Sequence, residues 1–379
     1  MAEALKHLLN EHTVRAAGTN LHRAWRGFDA AAFERDALRG LERLELKARA
    51  MHIADALEAT LPRDFARAAA VIEASLAPPL ADASGVASDS DDDGIAGWML
   101  WPMGEFVVRR GMAEPVRALA ALHALTQRFT AEWAIRPFIV AHPALSFATL
   151  GRWVDDPSAH VRRLVSEGSR PRLPWGMQLK SLIADPTPTL PLLAALQDDV
   201  SDYVRRSVAN HLNDIAKDHP QLVASWLERH LPGASAQRQA LLRHASRTLI
   251  KRGDARVMAA WGYAGGFEGA ASLKVRPSRI ALGEALTLTL VLKAARGGAR
   301  QDLVIDYVVH HVNARGGNSA KVYKGWTRSI AAGSTLELIK RHALRAITTR
   351  TYYPGLHRVE IIANGRPIAS GAFKLLDGG

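Results

Sequence analysis

The chain has no cysteine among its 379 residues. Disulfide frameworks, thiolate zinc sites and cysteine nucleophiles are therefore excluded, and a reducing, cytosolic setting fits. No apolar run approaches the roughly 20 residues needed to cross a bilayer. The opening MAEALKHLLNEHTV lacks the apolar core of a signal peptide. We therefore expect a soluble protein of the cytoplasm. A glycine-rich phosphate loop, an HExxH helix and a nucleophile elbow are also missing, which removes support for nucleotide hydrolysis, zinc proteolysis and serine esterase chemistry. No cofactor is expected. Acidic residues are in short supply: 37 Asp+Glu stand against 49 Lys+Arg, a formal net charge of +12. Such an excess favours a polyanionic partner, nucleic acid before membrane, over a merely basic soluble protein.

What is present is ordinary globular material, 48% hydrophobic and 23% charged, enough for two domains. Residues 1 to about 76 read as successive helices. In LELKARAMHIADALEATLP, Leu44, Ile53, Leu57 and Leu61 fall close to helical spacing and Pro62 stops the run. The following stretch is rich in Ala, Ser, Asp, Gly and Pro, with Asp89, Asp91, Asp92 and Asp93 clustered. It lacks the spacing and closing glutamate of a calcium loop and reads as a solvated loop, not a metal site.

From Trp98 to about Tyr263 the chain is helical again, and it repeats. DDPSAHVRRLVSE at 155–167 aligns without a gap with DDVSDYVRRSVAN at 198–210, and RGDARVMAAWGY at 252–263 is a weaker echo. An interval of about 43 residues lies within the range of HEAT and armadillo repeats. The Asp and Ser before each helix are placed to cap its free N–H groups. After about Ala271 the texture becomes β-rich, and Asn364-Gly365 between two such runs marks a hairpin. The expected fold is mainly α: a HEAT-like helical repeat solenoid over 1–268, then a small immunoglobulin-like sandwich over 269–379.

On the 160–168 segment the spacing turns Val161, Leu164 and Val165 inward and leaves Arg162, Arg163, Ser166 and Glu167 outward. On the second copy Val204, Val208 and Leu212 form the buried stripe, with Arg206, Asn210 and Asp214 as an outward line. Glu132 and Arg136 make an i, i+4 acid–base pair. Singly, such pairs are surface ion pairs worth well under about 1 kcal/mol. The first copy also continues into GSRPRLPW, where Arg170, Pro171, Arg172 and Pro174 form an extended basic segment ending in Trp175. Plain repeat packing calls for no such segment.

At LELKARAMHIADAL, TAEWAIRPF and above all HVRRLVSEGSRPRLPW, the chain resembles the AlkC branch of the HEAT-like DNA alkylation repair glycosylases. The resemblance extends over nearly the whole chain, including an appended Ig-like domain. It implies a monofunctional glycosylase acting as a monomer on double-stranded DNA containing cationic alkylated bases (3-methylcytosine, 1-methyladenine, 3-methyladenine), without extruding the base. The catalytic set it implies is Glu132, Glu167, Asp214 and Trp175. Glu167 would face the sugar cation and water, Glu132 would assist it, and Trp175 would lie against the sugar or base. Arg163 would hold Glu167 ionised and contact phosphate, and Arg162, Arg170, Arg172 and Arg206 would clamp the DNA backbone. In HHVNARGGNSAKVYKGW a basic loop with Arg315, Lys321 and Lys324 would add DNA contacts. The adjoining His310 and His311 point to opposite strand faces and do not form a metal pair. The competing readings are a non-enzymatic HEAT-repeat scaffold for DNA or protein, and a catalytically inactive damage binder.

Overall fold

In a computed structural model of the protein, described over residues 5–80, 90–263, 265–347 and 350–376, the described residues contain sixteen α-helices followed by eight strands. The chain divides into two compact units: Met1–His219 with Ala234–Ala245, and Pro220–Gly233 with Ser246–Gly379. The mainly helical array followed by a β-sandwich is the architecture expected.

In the first unit, helix boundaries follow local chemistry. Asn10 and Thr13 form a reciprocal capping box at the helix Glu11–Ala24. Asp29 and Asp64 cap the helices Ala30–Leu38 and Phe65–Ala74 by accepting backbone N–H bonds. The helix Leu46–Thr60 buries Ala50, Ile53, Ala54 and Leu57 on one face. It ends because Leu61, which precedes Pro62, is extended. Asp91, Asp92 and Asp93 are exposed, while Asp89 lies outside the described residues. No group of three or more His, Cys, Asp or Glu among the described residues could hold a metal ion.

The repeat is visible in hydrogen bonding. The helices Ala159–Gly168 and Asp202–Asp218 pack together. Ahead of them, Ser158 N–H donates to Asp156 Oδ1 and Ser201 N–H to Asp199 Oδ1, each at 2.8 Å. Arg162 donates to the Asp156 and Pro157 carbonyls, and Arg205 to those of Asp199 and Val200. The aspartates thus order the turns before the helices, and the serine side chains do not cap the helix, contrary to the expected capping. Arg162 also forks onto Asp199 (2.6 and 2.9 Å), joining one turn to the next. That engagement is structural and leaves Arg162 unsuited to the phosphate contact expected of it.

The second unit holds β1 (Gly269–Arg276), β2 (Arg279–Ile280), β3 (Ala285–Ala294), β4 (Gln301–Val312), β5 (Asn318–Ile330), β6 (Thr335–Ala343), β7 (Gly355–Ala363) and β8 (Arg366–Leu375). They form a three-stranded sheet β1-β3-β6 and a five-stranded sheet β2-β8-β7-β4-β5. Leu286, Leu288, Leu290 and Leu292 alternate inward along β3 and pack in one core with Ile305, Val309, Val359, Ile361 and Phe373. His311 is buried and His310 half-buried, on opposite faces as expected. Lys321 and Lys324 lie on β5, and only Arg315 sits in the connecting turn, because the β4–β5 ladder already starts at Val312↔Asn318.

Asn364 and Gly365 connect β7 to β8 with φ of 48° and 79°, as a two-residue type I′ turn requires. A Cβ on Gly365 would lie 2.6 Å from the Cα of Gly253. We expect Gly365→Ala to destabilise this unit by about 1–3 kcal/mol through strain and clash, read as a lowered melting temperature by circular dichroism. An unchanged transition would contradict this account of the turn.

Candidate active site

Three polypeptide segments bring the acidic residues together: the turn before the helix Ile135–Ala141, the helix Ala159–Gly168 with the loop after it, and the helix Asp202–Asp218. The inward stripes Val161, Leu164, Val165 and Val204, Val208, Leu212 are buried as the spacing predicts. The flanking polar residues are buried as well. Ser166, Glu167 and Asp214 were expected outward, yet they face neighbouring segments.

Glu132 lies in the turn ahead of the helix Ile135–Ala141, and its partner is Arg163 of the helix Ala159–Gly168, not Arg136. Thr130 Oγ1 donates to Glu132 Oε2 (2.8 Å) and accepts from Arg163 Nη1 (3.0 Å). Arg163 also approaches Glu167 Oε1 at 3.6 Å and lies over the Tyr203 ring, 5.2 Å from its centroid. Glu167 further accepts from Arg170 Nη1 and from Ser207 Oγ, both at 2.6 Å. Arg170 continues to Asp214 Oδ2 at 2.8 Å, and Lys217 Nζ reaches Asp214 Oδ1 at 2.7 Å. Glu132, Glu167 and Asp214 are thus balanced by Arg163, Arg170 and Lys217 in one chain of contacts. Removing one partner from such a buried network costs about 3–5 kcal/mol, not the fraction assigned to a surface pair.

Burial alone would push the Glu167 carboxyl up, but the Arg163 and Arg170 guanidinium groups and the Ser207 hydroxyl hold it below the ordinary 4.5. It is a carboxylate at neutral pH. The Arg163 guanidinium is held charged by Glu132 and Glu167 despite burial, and burial raises the Tyr203 phenol.

A cavity of about 260 Å³ opens on this network, lined by Phe129, Glu132, Trp133, His160, Arg163 and Tyr203 among others. Behind its wall Trp133 stacks on Trp101, centroids 4.4 Å apart. Glu132 is the carboxylate that lines the cavity, while Glu167 and Asp214 sit behind it. A concave pocket with aromatic faces and one carboxylate can accept a flat or sugar-like group and favour positive charge on it.

The other candidates separate by burial. Arg170 is buried and Arg163 half-buried, and both are committed to carboxylates, so neither presents a free fork to phosphate. Arg172 pairs with Asp218, and Arg206 with Asp202, in exposed ion pairs that exchange partners at little cost. The segment after Gly168 is a compact series of turns, not an extended strand, because Arg136 points inward and gathers its carbonyls. Trp175 is 62% exposed, with φ of 61°. It follows Pro174, whose carbonyl lies 3.4 Å from Trp133 Nε1.

Phe129, Trp133, Tyr203, Ser207 and Lys217 were missed by the sequence reading. A signal existed for one of them: Tyr203 and His160 occupy the same place in the two aligned copies. Their rings meet at 5.5 Å beside the cavity.

Burial also lowers the His211 imidazole to about 4. The unfolded chain then binds the proton first between about pH 6.5 and 4, so stability falls as pH drops through that window. We expect a loss of about 3 kcal/mol across it, flattened in His211→Asn, by urea titration at several pH values. Glu167 acts in a lower window: its contribution is present above pH 4.5 and is lost below it. Equal pH slopes in wild type and His211→Asn would refute the assignment.

Residues 269–377 match the family described as the C-terminal Ig-like domain of uncharacterised protein YhaZ. Uncharacterized protein YhaZ of Bacillus subtilis (strain 168) is 34% identical over 369 residues, covering 95% of this chain and 96% of that protein. The solved structure of Pseudomonas fluorescens alkylpurine DNA glycosylase AlkC, bound to DNA containing an abasic site analog, matches 99% of this chain and 100% of its own at 35% identity, with a TM-score of 0.89. Agreement in sequence and in fold from end to end places the chain in the AlkC family, in the form that carries a C-terminal Ig-like domain.

Proposed function

We propose that this protein is a monofunctional DNA glycosylase that hydrolyses the N-glycosidic bond of cationic alkylated bases in duplex DNA. The observation that carries the reading is the cavity in which Glu132 stands among Phe129, Trp133 and Tyr203, on a frame shared with an alkylpurine DNA glycosylase that was solved with DNA. An alkylated 3-methylcytosine, 1-methyladenine or 3-methyladenine already carries positive charge and leaves without being protonated. The catalyst then has to stabilise an oxocarbenium-like sugar and place a water, which a fixed carboxylate does. Glu132, as the carboxylate on the cavity, faces the sugar. Glu167, expected from the resemblance to take that role, acts through Arg163, which it shares with Glu132. Asp214 orients Arg170 from behind. Trp175 lays its exposed ring against the sugar or base, a contact that strengthens as positive charge develops.

Among the described residues no lysine lines the cavity, which favours water over an amine as the nucleophile. In keeping with the resemblance, hydrolysis proceeds with the base left in the duplex and the sugar brought to Glu132. Arg172 and Arg206 on the helical unit, and Arg315, Lys321 and Lys324 on the Ig-like unit, supply phosphate contacts without reading sequence. The enzyme works as a cytoplasmic monomer.

Purified protein incubated with a 3-methylcytosine duplex should release free base. Glu132→Gln and Glu167→Gln should each lower the single-turnover rate at least about a hundredfold while binding to an abasic duplex persists. Binding without release at any enzyme level would leave a DNA-binding scaffold and sink the glycosylase reading. Arg206→Ala should weaken binding to every duplex alike and reduce the slope of log K against log salt by about 0.9. An unchanged slope would remove Arg206 from the interface.

A further inference from the structure

Arg136 takes no part in the chemistry above, yet it is fully buried, with 0% of its surface exposed. Its guanidinium donates to the carbonyls of Met177 (Nε, 2.7 Å), Gly168 (Nη1, 2.8 Å), Arg170 (Nη1, 2.7 Å) and Pro171 (Nη2, 3.5 Å). These four carbonyls span the loop between the helix carrying Glu167 and the residue two beyond Trp175. Buried carbonyls require donors, and Pro171 and Pro174 provide no N–H to meet them. A planar guanidinium supplies five donors in a fixed fork.

The geometry points to Arg136 as the positioning residue of the catalytic loop, holding Trp175 and the backbone of Arg170 in place before DNA arrives. Two features support this. Trp175 keeps a φ of 61° and an exposed ring together, a strained state that persists only where its surroundings over-determine it. Arg170, whose carbonyl Arg136 holds, is the residue whose side chain grips both Glu167 and Asp214. One buried group therefore sets the aromatic contact and the counter-ion of a site carboxylate. Burial lowers the Arg136 guanidinium to about 10, so it remains a cation at neutral pH. The loop is fitted closely to it: a Cβ on Gly176 would lie 3.4 Å from Arg136 Nε, 3.3 Å from the Trp133 ring and 3.1 Å from Leu173.

Where it concerns turnover, this inference rests on the glycosylase reading, so the test has a second readout. The full chain is labelled with 5-fluorotryptophan, and the Trp175 resonance is assigned through Trp175→Phe. Arg136→Lys keeps the charge but offers a single ammonium that cannot span four carbonyls. Gly176→Val leaves Arg136 in place and crowds the loop off it, so it carries the test if the lysine variant does not fold. In each folded variant the Trp175 fluorine signal should shift or broaden, while the tryptophan signals other than those of Trp133 and its stacking partner Trp101 hold. Single-turnover release of 3-methylcytosine should fall about tenfold or more, with affinity for an abasic duplex changed less than about threefold. A merely structural role predicts a lowered melting temperature with the Trp175 signal and the rate unchanged, and that result overturns the proposal. If the wild type releases no base, the glycosylase reading fails by itself and the fluorine signal alone decides for or against Arg136.

Discussion

Arg163 stands between Glu132 and Glu167 with its guanidinium over Tyr203, and the arrangement of the helical unit around the cavity depends on that contact. It ties the turn at residues 130–134 to one repeat helix, and through the Tyr203 ring to the next. Taking carboxylates out of water is tolerable only because Arg163, Arg170 and Lys217 accompany them. Apolar side chains of the same volume would serve the fold at least as well. Stability alone does not call for such a network, and it suits the proposed chemistry, with the perturbed carboxylate Glu167 one arginine removed from the cleft.

The frame that holds this charge repeats, and the site is where the repetition lapses. Asp156, Ser158 and Arg162 order one inter-helix turn, and Asp199, Ser201 and Arg205 order the next with the same bonds. Because those bonds run to backbone, they hold whatever the intervening positions carry. That leaves the helix faces free to differ: His160 against Tyr203, Leu164 against Ser207, Glu167 against Asn210. Each of Tyr203, Ser207 and Glu167 is a departure, and all three meet at one place.

Much of the fold was legible because its signals are local. Pro62 ends a helix by restricting the residue before it, and Asn364-Gly365 makes a hairpin because both residues accept positive φ. The carboxylates were legible as a set but not in their surroundings. Glu167 and Asp214 were placed outward, and Arg136 was paired with Glu132. Helical spacing gives an angle about one axis and is silent on what lies opposite that angle. In packed helices the flanks of each are covered by neighbours, so a polar residue off the apolar stripe can be as buried as one on it.

The helical array, the sandwich, the basic balance, the repeat and the identity of the acidic residues are all written locally in the chain, because composition, periodicity and turn chemistry act within a few residues. Only the packing of the helices sets which carboxylate lines the cavity, which arginines are spent inside and which remain at the surface, and which carbonyls Arg136 meets. Those depend on contacts between residues some 30 to 45 positions apart. Whether a guanidinium meets a carboxylate, a carbonyl or water is settled by the packing of whole helices, which no single stretch of the chain encodes.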